Sequence, residues 1–193
     1  MTVTQARFTS FEAYLSAEPS DLPEGRCEYW DGELVSVMTE SLNNGTIAIF
    51  IQLALISIGV SFKLIRHNCE VEVMGKPQSR IPDLTIIDEI HLTLLKKRAT
   101  ITRKMPPPKL VIEVVSPGSE NSDNYKRDYE AKRDQYAAID ILEYWLIDPD
   151  RAWVRVGTLI EGEYQFATFM GNDAIVSPTF PDLNLTAAIV LDT

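Results

Sequence analysis

The run Lys109-Leu-Val-Ile-Glu-Val-Val115 decides the fold of this chain. Its apolar residues are almost continuous, which is typical of a strand covered on both faces, so we expect it to be central in a sheet. The carboxylate within the run, Glu113, would then be buried, and a buried carboxylate needs a cation or a metal ion beside it. The alternative is that Glu113 faces water at the strand's end, near Ser116-Pro117.

The residues after this strand predict a crossover unit. Ser122 or Asp123 can cap a helix that extends to about Ala138, and residues 142–148 have the composition of a second strand. A strand, a helix and a strand in this order form a right-handed unit with parallel strands. Further antiparallel strands are expected, followed by a C-terminal arm; the segments are 152–156, 163–170 and an arm around Leu183, Leu185 and Ile189.

The residues before the central strand predict a mixture of short elements. Asp31-Gly32 lies between two short runs, which indicates a hairpin with Glu28 on its first arm. Apolar spacing predicts a short helix over 9–17 and a long one over 41–59. Strands are expected over 62–66, 70–74 and 80–88, and a loop or short helix over 90–105. Together the patterns indicate an α/β fold, a mixed β-sheet flanked by helices.

Length and composition favour one domain over residues 1–193, with a core of about 26–156, an N-terminal helix and a C-terminal arm. The most apolar stretch, 47–60, is interrupted by polar residues and is too short to span a bilayer. Two cysteines cannot make a disulfide framework. We therefore expect a cytoplasmic protein with no membrane association.

The charge of the chain is unevenly distributed. The formal net charge of −10 argues against a nucleic-acid partner. Between His91 and Arg133, however, the sequence has ten Lys and Arg residues and five acids. The net charge of that segment is therefore +5, and the rest of the chain sums to −15. This asymmetry fits a face for a polyanion, and it also fits a solvated surface patch.

A second carboxylate, Asp83, falls in another predicted strand. It shares a face with Ile81, Thr85 and Ile87 by the two-residue period of a strand. If the two strands are neighbours, Asp83 and Glu113 converge, and with a backbone carbonyl they suit Mg²⁺ or Mn²⁺. The alternative is that Asp83 only caps the turn at the preceding proline.

One lysine of the predicted helix lies on its apolar stripe. Tyr125, Tyr129, Lys132 and Tyr136 recur at spacings of four, three and four, which places them on one face. Lysines avoid core faces unless they are paired, so Lys132 is a candidate partner of Glu113. The alternatives are a surface pair with Asp128 and an extended lysine that reaches solvent over the tyrosines.

These motifs, in this order, resemble a bacterial family of "putative restriction endonucleases" within the PD-(D/E)XK nuclease superfamily. The resemblance runs from about Glu28 to Val156. Its most distinctive parts are Glu113-Val-Val-Ser-Pro117 and Glu143-Tyr-Trp145, with Pro82-Asp83 and the Asp31-Gly32 hairpin also matching. It implies a restriction-endonuclease-like sheet.

The resemblance also implies roles for particular residues. Asp83, Glu113 and the Val114 carbonyl would bind Mg²⁺ or Mn²⁺, Lys132 would orient or help to deprotonate the attacking water, and Glu28 would be an auxiliary acid. The superfamily's usual lysine position is Val115 here, so that role falls to the helix. Where family members often carry a histidine after the first hairpin, this chain has Leu42-Asn43-Asn44.

The implied activity is Mg²⁺-dependent hydrolysis of DNA phosphodiester bonds, with double-stranded DNA as the partner and a homodimer as the assembly. The competing hypothesis is a catalytically silent scaffold of the same fold that acts as a DNA-binding or protein-interaction module. The intact Asp83, Glu113 and Lys132 set favours the enzyme, whereas the net charge favours the module.

Overall fold

The structure of the chain is a computed structural model that describes residues 3–37, 41–96, 98–116 and 125–193. The predicted helix caps Ser122 and Asp123 lie outside these ranges, as does Lys97 of the basic segment. No helix within the described ranges is long and apolar enough to cross a membrane.

The described ranges contain strands in several consecutive runs, separated by short and long helices. The strands are β1 Val3–Arg7, β2 Cys27–Trp30, β3 Glu33–Ser36, β4 Ile65–Arg66, β5 Glu70–Glu72, β6 Ser79–Arg80, β7 Leu84–Ile86, β8 Thr100–Ile101, β9 Leu110–Val114, β10 Glu143–Asp148, β11 Trp153–Ile160 and β12 Glu163–Met170. The α-helices are α1 Phe11–Leu15, α2 Leu42–Ser57, α3 His91–Leu94, α4 Lys132–Ala137 and α5 Ala187–Leu191. A π-helical turn, Lys126–Ala131, leads directly into α4.

The largest sheet has six strands in the order β12-β11-β10-β9-β7-β4. Strand β9 lies inside it, parallel to β10 and antiparallel to β7, and all of its residues are buried. This confirms the central strand, the parallel crossover unit, and the antiparallel extension by β11 and β12. The mixed α/β architecture is the predicted one.

Two apolar layers cover the sheet. On one face, Ile47, Ile51 and Leu55 of α2 pack against alternate residues of β9, including Ile112. On the other face, Val111 and Val115 meet the tyrosines of the segment that contains α4. Alternation along β9 therefore places Glu113 on the face covered by α4.

Several local predictions were wrong. The strand expected over 80–88 is two strands in different sheets, since Arg80 pairs with Val71 whereas Leu84 pairs with Ile112. The break falls at Pro82, which has no N–H for a ladder. Residues 62–64 form a 3₁₀ turn ahead of β4. Residues 90–105 contain the short helix α3, which agrees with the prediction, and also β8, which was not predicted. Strand β1, which pairs with β3, was not predicted.

The C-terminal arm is fixed to the sheet by one buried carboxylate. Glu143 Oε1 accepts hydrogen bonds from Trp145 Nε1 at 2.6 Å and Ser177 Oγ at 2.7 Å. Its Oε2 accepts from the Thr179 amide at 2.7 Å. In the arm, Leu183 and Leu185 are buried, whereas Ile189 is 51% exposed and lies outside the core.

We predict that Glu143→Ala lowers the free energy of unfolding by about 3 kcal/mol, because it removes the acceptor of three donors, of which two are buried and one is half-buried. Urea denaturation followed by tryptophan fluorescence measures the change. The matched control is Glu163→Ala on exposed β12, which should change the free energy by less than about 0.5 kcal/mol. Equal midpoints for the two variants would contradict the assignment.

Candidate active site

Glu113 is a buried carboxylate with two donors. Its exposed fraction is 1%, so the interpretation of a solvent-facing Glu113 was wrong. Lys132 Nζ lies 2.7 Å from Oε2, and Tyr136 Oη donates to Oε1 at 2.6 Å. The helical stripe and the strand pattern thus predicted the contact between Lys132 and Glu113 correctly.

Asp83 lies beside Glu113, at the end of the neighbouring strand of the sheet. Leu84 pairs with Ile112 in the antiparallel register, so the next position along each strand brings Asp83 level with Glu113. Asp83 Oδ2 accepts a hydrogen bond from the Val114 amide at 2.7 Å, and Arg26 lies 4.0 Å from Oδ1. The carboxylate therefore connects the two strands, and its bond to Val114 replaces the proposed cap of the proline turn.

Burial shifts the pKa of both acids. The pKa of Glu113 is raised to about 7, chiefly by burial and also by the nearby Asp83, against the opposing effect of the Lys132 charge. Burial also raises the pKa of Asp83, while Lys132 and the Val114 amide act in the opposite direction. The two carboxylates thus share one cation, and each makes ionisation of the other less favourable.

Lys132 contacts two carboxylates, not one. Its Nζ lies 2.7 Å from Glu113 Oε2 and 2.9 Å from Asp128 Oδ1, so the pair with Asp128 exists beside the pair with Glu113. It is not a surface pair, because the Asp128 side chain is only 2% exposed. Burial opposes the ammonium charge, but Glu113, Asp128 and Asp83 outweigh it and raise the pKa of Lys132.

Glu28 of β2 is engaged by an arginine. Arg80 Nη1 lies 3.1 Å from Glu28 Oε1 and 3.0 Å from Oε2, and Arg80 Nε donates to Gln135 Oε1 at 2.8 Å. Arg80 is 2% exposed, so Glu28 supplies the charge that a buried guanidinium requires. The role of Glu28 as an auxiliary acid stays a prediction.

The oxygens at this place have the chemistry of a magnesium site. Asp83 and Glu113 are hard carboxylate donors, and the Val114 carbonyl, which accepts from Asn44 Nδ2 at 3.1 Å, retains a second lone pair. Within the described ranges, no group of three or more His, Cys, Asp and Glu side chains could hold a metal ion. Two carboxylates and a carbonyl would suit Mg²⁺, because that ion keeps several water ligands.

Three residues near this place were not predicted as part of it. Asp128 belongs to the motif order that resembles the family, but the only role weighed for it was a surface pair with Lys132, four residues later. Asn44 was noted only within the stretch that stands where family members often carry a histidine; its buried side chain accepts from Ser41 Oγ and also donates to the Val114 carbonyl. Arg80 carried no signal in the sequence beyond its position near Asp83.

The basic segment is largely neutralised by local ion pairs. Six of its cations pair with carboxylates; the pairs are Arg98 with Glu70, Arg103 with Glu72, Lys109 with Asp88, Arg127 with Asp128, Lys132 with Glu113, and Arg133 with Asp134. Lys96, Lys104 and Lys126 are exposed. The local charge excess therefore makes a weaker polyanion face than the sequence count indicates.

Comparison with known proteins yields one family and one fold. The model of the family Uma2, described as "Putative restriction endonuclease", matches residues 11–188. A crystal structure from Anabaena variabilis ATCC 29413, described as "a putative nuclease belonging to DUF820", is similar with a TM-score of 0.66 and 16% sequence identity. The match covers 94% of this chain and 96% of that chain, and at this identity it shows a shared fold. Among curated proteins, none matches the sequence.

Proposed function

Because this chain belongs to the Uma2 family of putative restriction endonucleases, we propose that it is a Mg²⁺-dependent endonuclease that hydrolyses phosphodiester bonds of double-stranded DNA. The observation that carries the proposal is the Asp83 and Glu113 pair beside the Lys132 ammonium. Two buried carboxylates with one cation between strand and helix are what a metal-dependent hydrolase requires. With DNA as the proposed substrate, the proposed location is the cytoplasm.

Asp83, Glu113 and the Val114 carbonyl would hold the ion, for which Mn²⁺ is a substitute. When bound, the ion supplies a Lewis acid for the phosphate and a water of lowered pKa. The chain's part is positioning: Asp83 is fixed by the Val114 amide, and Glu113 by Tyr136. Both carboxylates are thereby held in place before a substrate arrives.

Lys132 would orient the attacking water and offset the negative charge that develops on the phosphate. Its raised pKa favours these two roles over removal of a proton from water, because the amine stays protonated. The nearby acids thus favour the ammonium form of Lys132.

The metal site predicts a pH-dependent affinity. Burial raises the pKa of Glu113 to about 7, and a carboxylate must lose its proton to bind a metal ion. The Mn²⁺ affinity should therefore rise between pH 6 and pH 8, and binding at pH 6 should release up to about one proton. Calorimetric titration in buffers of different ionisation enthalpy measures both quantities.

The control for the metal site is a matched pair of double variants. Asp83→Ala with Glu113→Ala should abolish binding of the ion. Glu130→Ala with Asp134→Ala removes two exposed acids of the helical segment that carries Lys132 and should leave binding unchanged. Parent-like Mn²⁺ affinity in the first double variant would refute the site.

The catalytic role of Lys132 is tested by cleavage of supercoiled plasmid in Mg²⁺. Lys132→Ala should lower the cleavage rate by about 100-fold or more, because a positioned cation is lost from the transition state. Metal affinity should change little, since the amine is not a ligand. The control is Lys126→Ala, which removes an exposed lysine earlier in the same helical segment. This variant should cleave the plasmid at the parent rate. A Lys132→Ala protein that cuts at the parent rate would exclude this role.

We also propose a homodimer, since a symmetric pair matches the two-fold symmetry of a duplex. The outer face of α2 supports it: Leu42, Ile49, Leu53 and Ile56 are 90%, 54%, 59% and 38% exposed. Their spacings of seven, four and three place them along one stripe. No residue from 42 to 57 is charged, so a second copy of this acidic chain meets no repulsion at that stripe.

The dimer predicts that Leu53→Asp converts the protein from two copies to one, because the substitution places two like charges in the contact. Sedimentation equilibrium measures the mass. Leu142→Asp is the matched control, since Leu142 is 64% exposed but lies outside α2. A parent that sediments as one copy at tens of micromolar would rule out the dimer, and a dimeric Leu53→Asp would rule out this interface.

A further inference from the structure

Asp128 is a buried carboxylate beside the site that the mechanism above does not use. Its Oδ1 lies 2.9 Å from Lys132 Nζ, on the helical turn before that lysine. Glu113 contacts the same ammonium from the strand, so Lys132 lies between two carboxylates from different elements. The side chains of Asp128 and Glu113 are both 2% exposed, and that of Lys132 is 12% exposed.

Asp128 is itself fixed in orientation. Arg127 Nε lies 2.9 Å from Oδ1, and Arg127 Nη2 donates to Oδ2 at 2.9 Å. Tyr144 Oη donates to the Asp128 carbonyl at 3.2 Å. Both carboxylate oxygens are therefore engaged by cations, which makes Asp128 a poor metal ligand and a firm anchor for an ammonium.

A metal ion at Asp83 and Glu113 would compete with Lys132 for the same carboxylate. Its charge would repel the ammonium, and a Lys132 that depended on Glu113 alone would move toward solvent. An amine that moves by about 1 Å loses much of its catalytic effect. Some group other than Glu113 has to keep the ammonium in place.

We propose that Asp128 is the positioning residue that keeps the Lys132 ammonium at the site while Glu113 binds the metal ion. The inference rests on the proposed function for the identity of the metal site. An exposed ion pair four residues apart on a helix contributes only about 0.3–0.5 kcal/mol to stability. The pair of Asp128 and Lys132 is buried, so this small value does not describe it. Asp128 lies on the π-helical turn Lys126–Ala131, which ends directly before Lys132. Such turns are frequently found at functional sites.

The decisive measurement observes Lys132 directly, without DNA. Proton–nitrogen NMR of the lysine ammonium groups, with Lys132→Met to assign the resonance, is recorded with and without Mg²⁺. In the parent the Lys132 resonance should persist when Mg²⁺ is added, because Asp128 retains the ammonium. In Asp128→Asn the resonance should be lost to rapid water exchange once Mg²⁺ is added.

The control is Asp134→Asn, which removes a carboxylate that pairs with Arg133 at a more exposed position. Its spectrum should match that of the parent in both conditions. A Lys132 resonance that persists with Mg²⁺ in Asp128→Asn would overturn the proposal. Because this readout needs no cleavage, it decides the role of Asp128 even if the protein does not cut DNA.

Kinetics provide a second readout that a purely structural role would not produce. Asp128→Asn should lower kcat by about 100-fold while KM and the Mg²⁺ affinity change less than about threefold. Asp128→Glu, which keeps the charge, should recover part of kcat and serves as the test variant if Asp128→Asn does not fold. Equal losses of kcat in both variants, or a parent-like kcat in Asp128→Asn, would count against positioning.

Discussion

The ion pair between Glu113 and Lys132 is the interaction on which the candidate site depends. A carboxylate in the middle of a central strand costs several kcal/mol unless its charge is balanced and its oxygens accept hydrogen bonds. Lys132 and Tyr136 supply both, and they do so from one helical face four residues apart. The buried charge of Glu113 in β9 therefore favours the packing of α4 on this face of the sheet.

The backbone of Val114 determines where the other site groups lie. Strand β7 ends its pairing with β9 at Ile112, so the N–H and C=O of Val114 extend past the ladder. Buried backbone groups need partners. The Asp83 carboxylate accepts from the amide, and the Asn44 side chain donates to the carbonyl. A short neighbouring strand thus brings an acid beside Glu113 and leaves the Val114 carbonyl oxygen outside the ladder.

The sequence predicted the central strand, the crossover unit and the contact between Lys132 and Glu113, because these follow from periodicity. Strand alternation and helical spacing each place a side chain on a known face. It did not predict that residues 80–88 divide between two sheets, because the partner of a short strand depends on contacts distant in the chain. The buried position of Asp128 was missed for a similar reason: the same i,i+4 spacing describes an exposed pair and a buried one.

The energetics of the buried charges bear on the choice between an enzyme and a silent scaffold. Replacing a buried charged cluster with well-packed apolar residues is often neutral or stabilising, so a chain that needs only the fold gains nothing from such a cluster. Here Asp83, Glu113, Asp128 and Lys132 are all buried or nearly so, and Arg127 and Arg26 add cations beside Asp128 and Asp83. Burial nevertheless raises the pKa of both Asp83 and Glu113, so their ionisation is unfavourable in the metal-free protein, and a divalent cation would favour it. Under the proposed function, this pair of acids fits a protein that binds a metal ion better than one that only retains the scaffold.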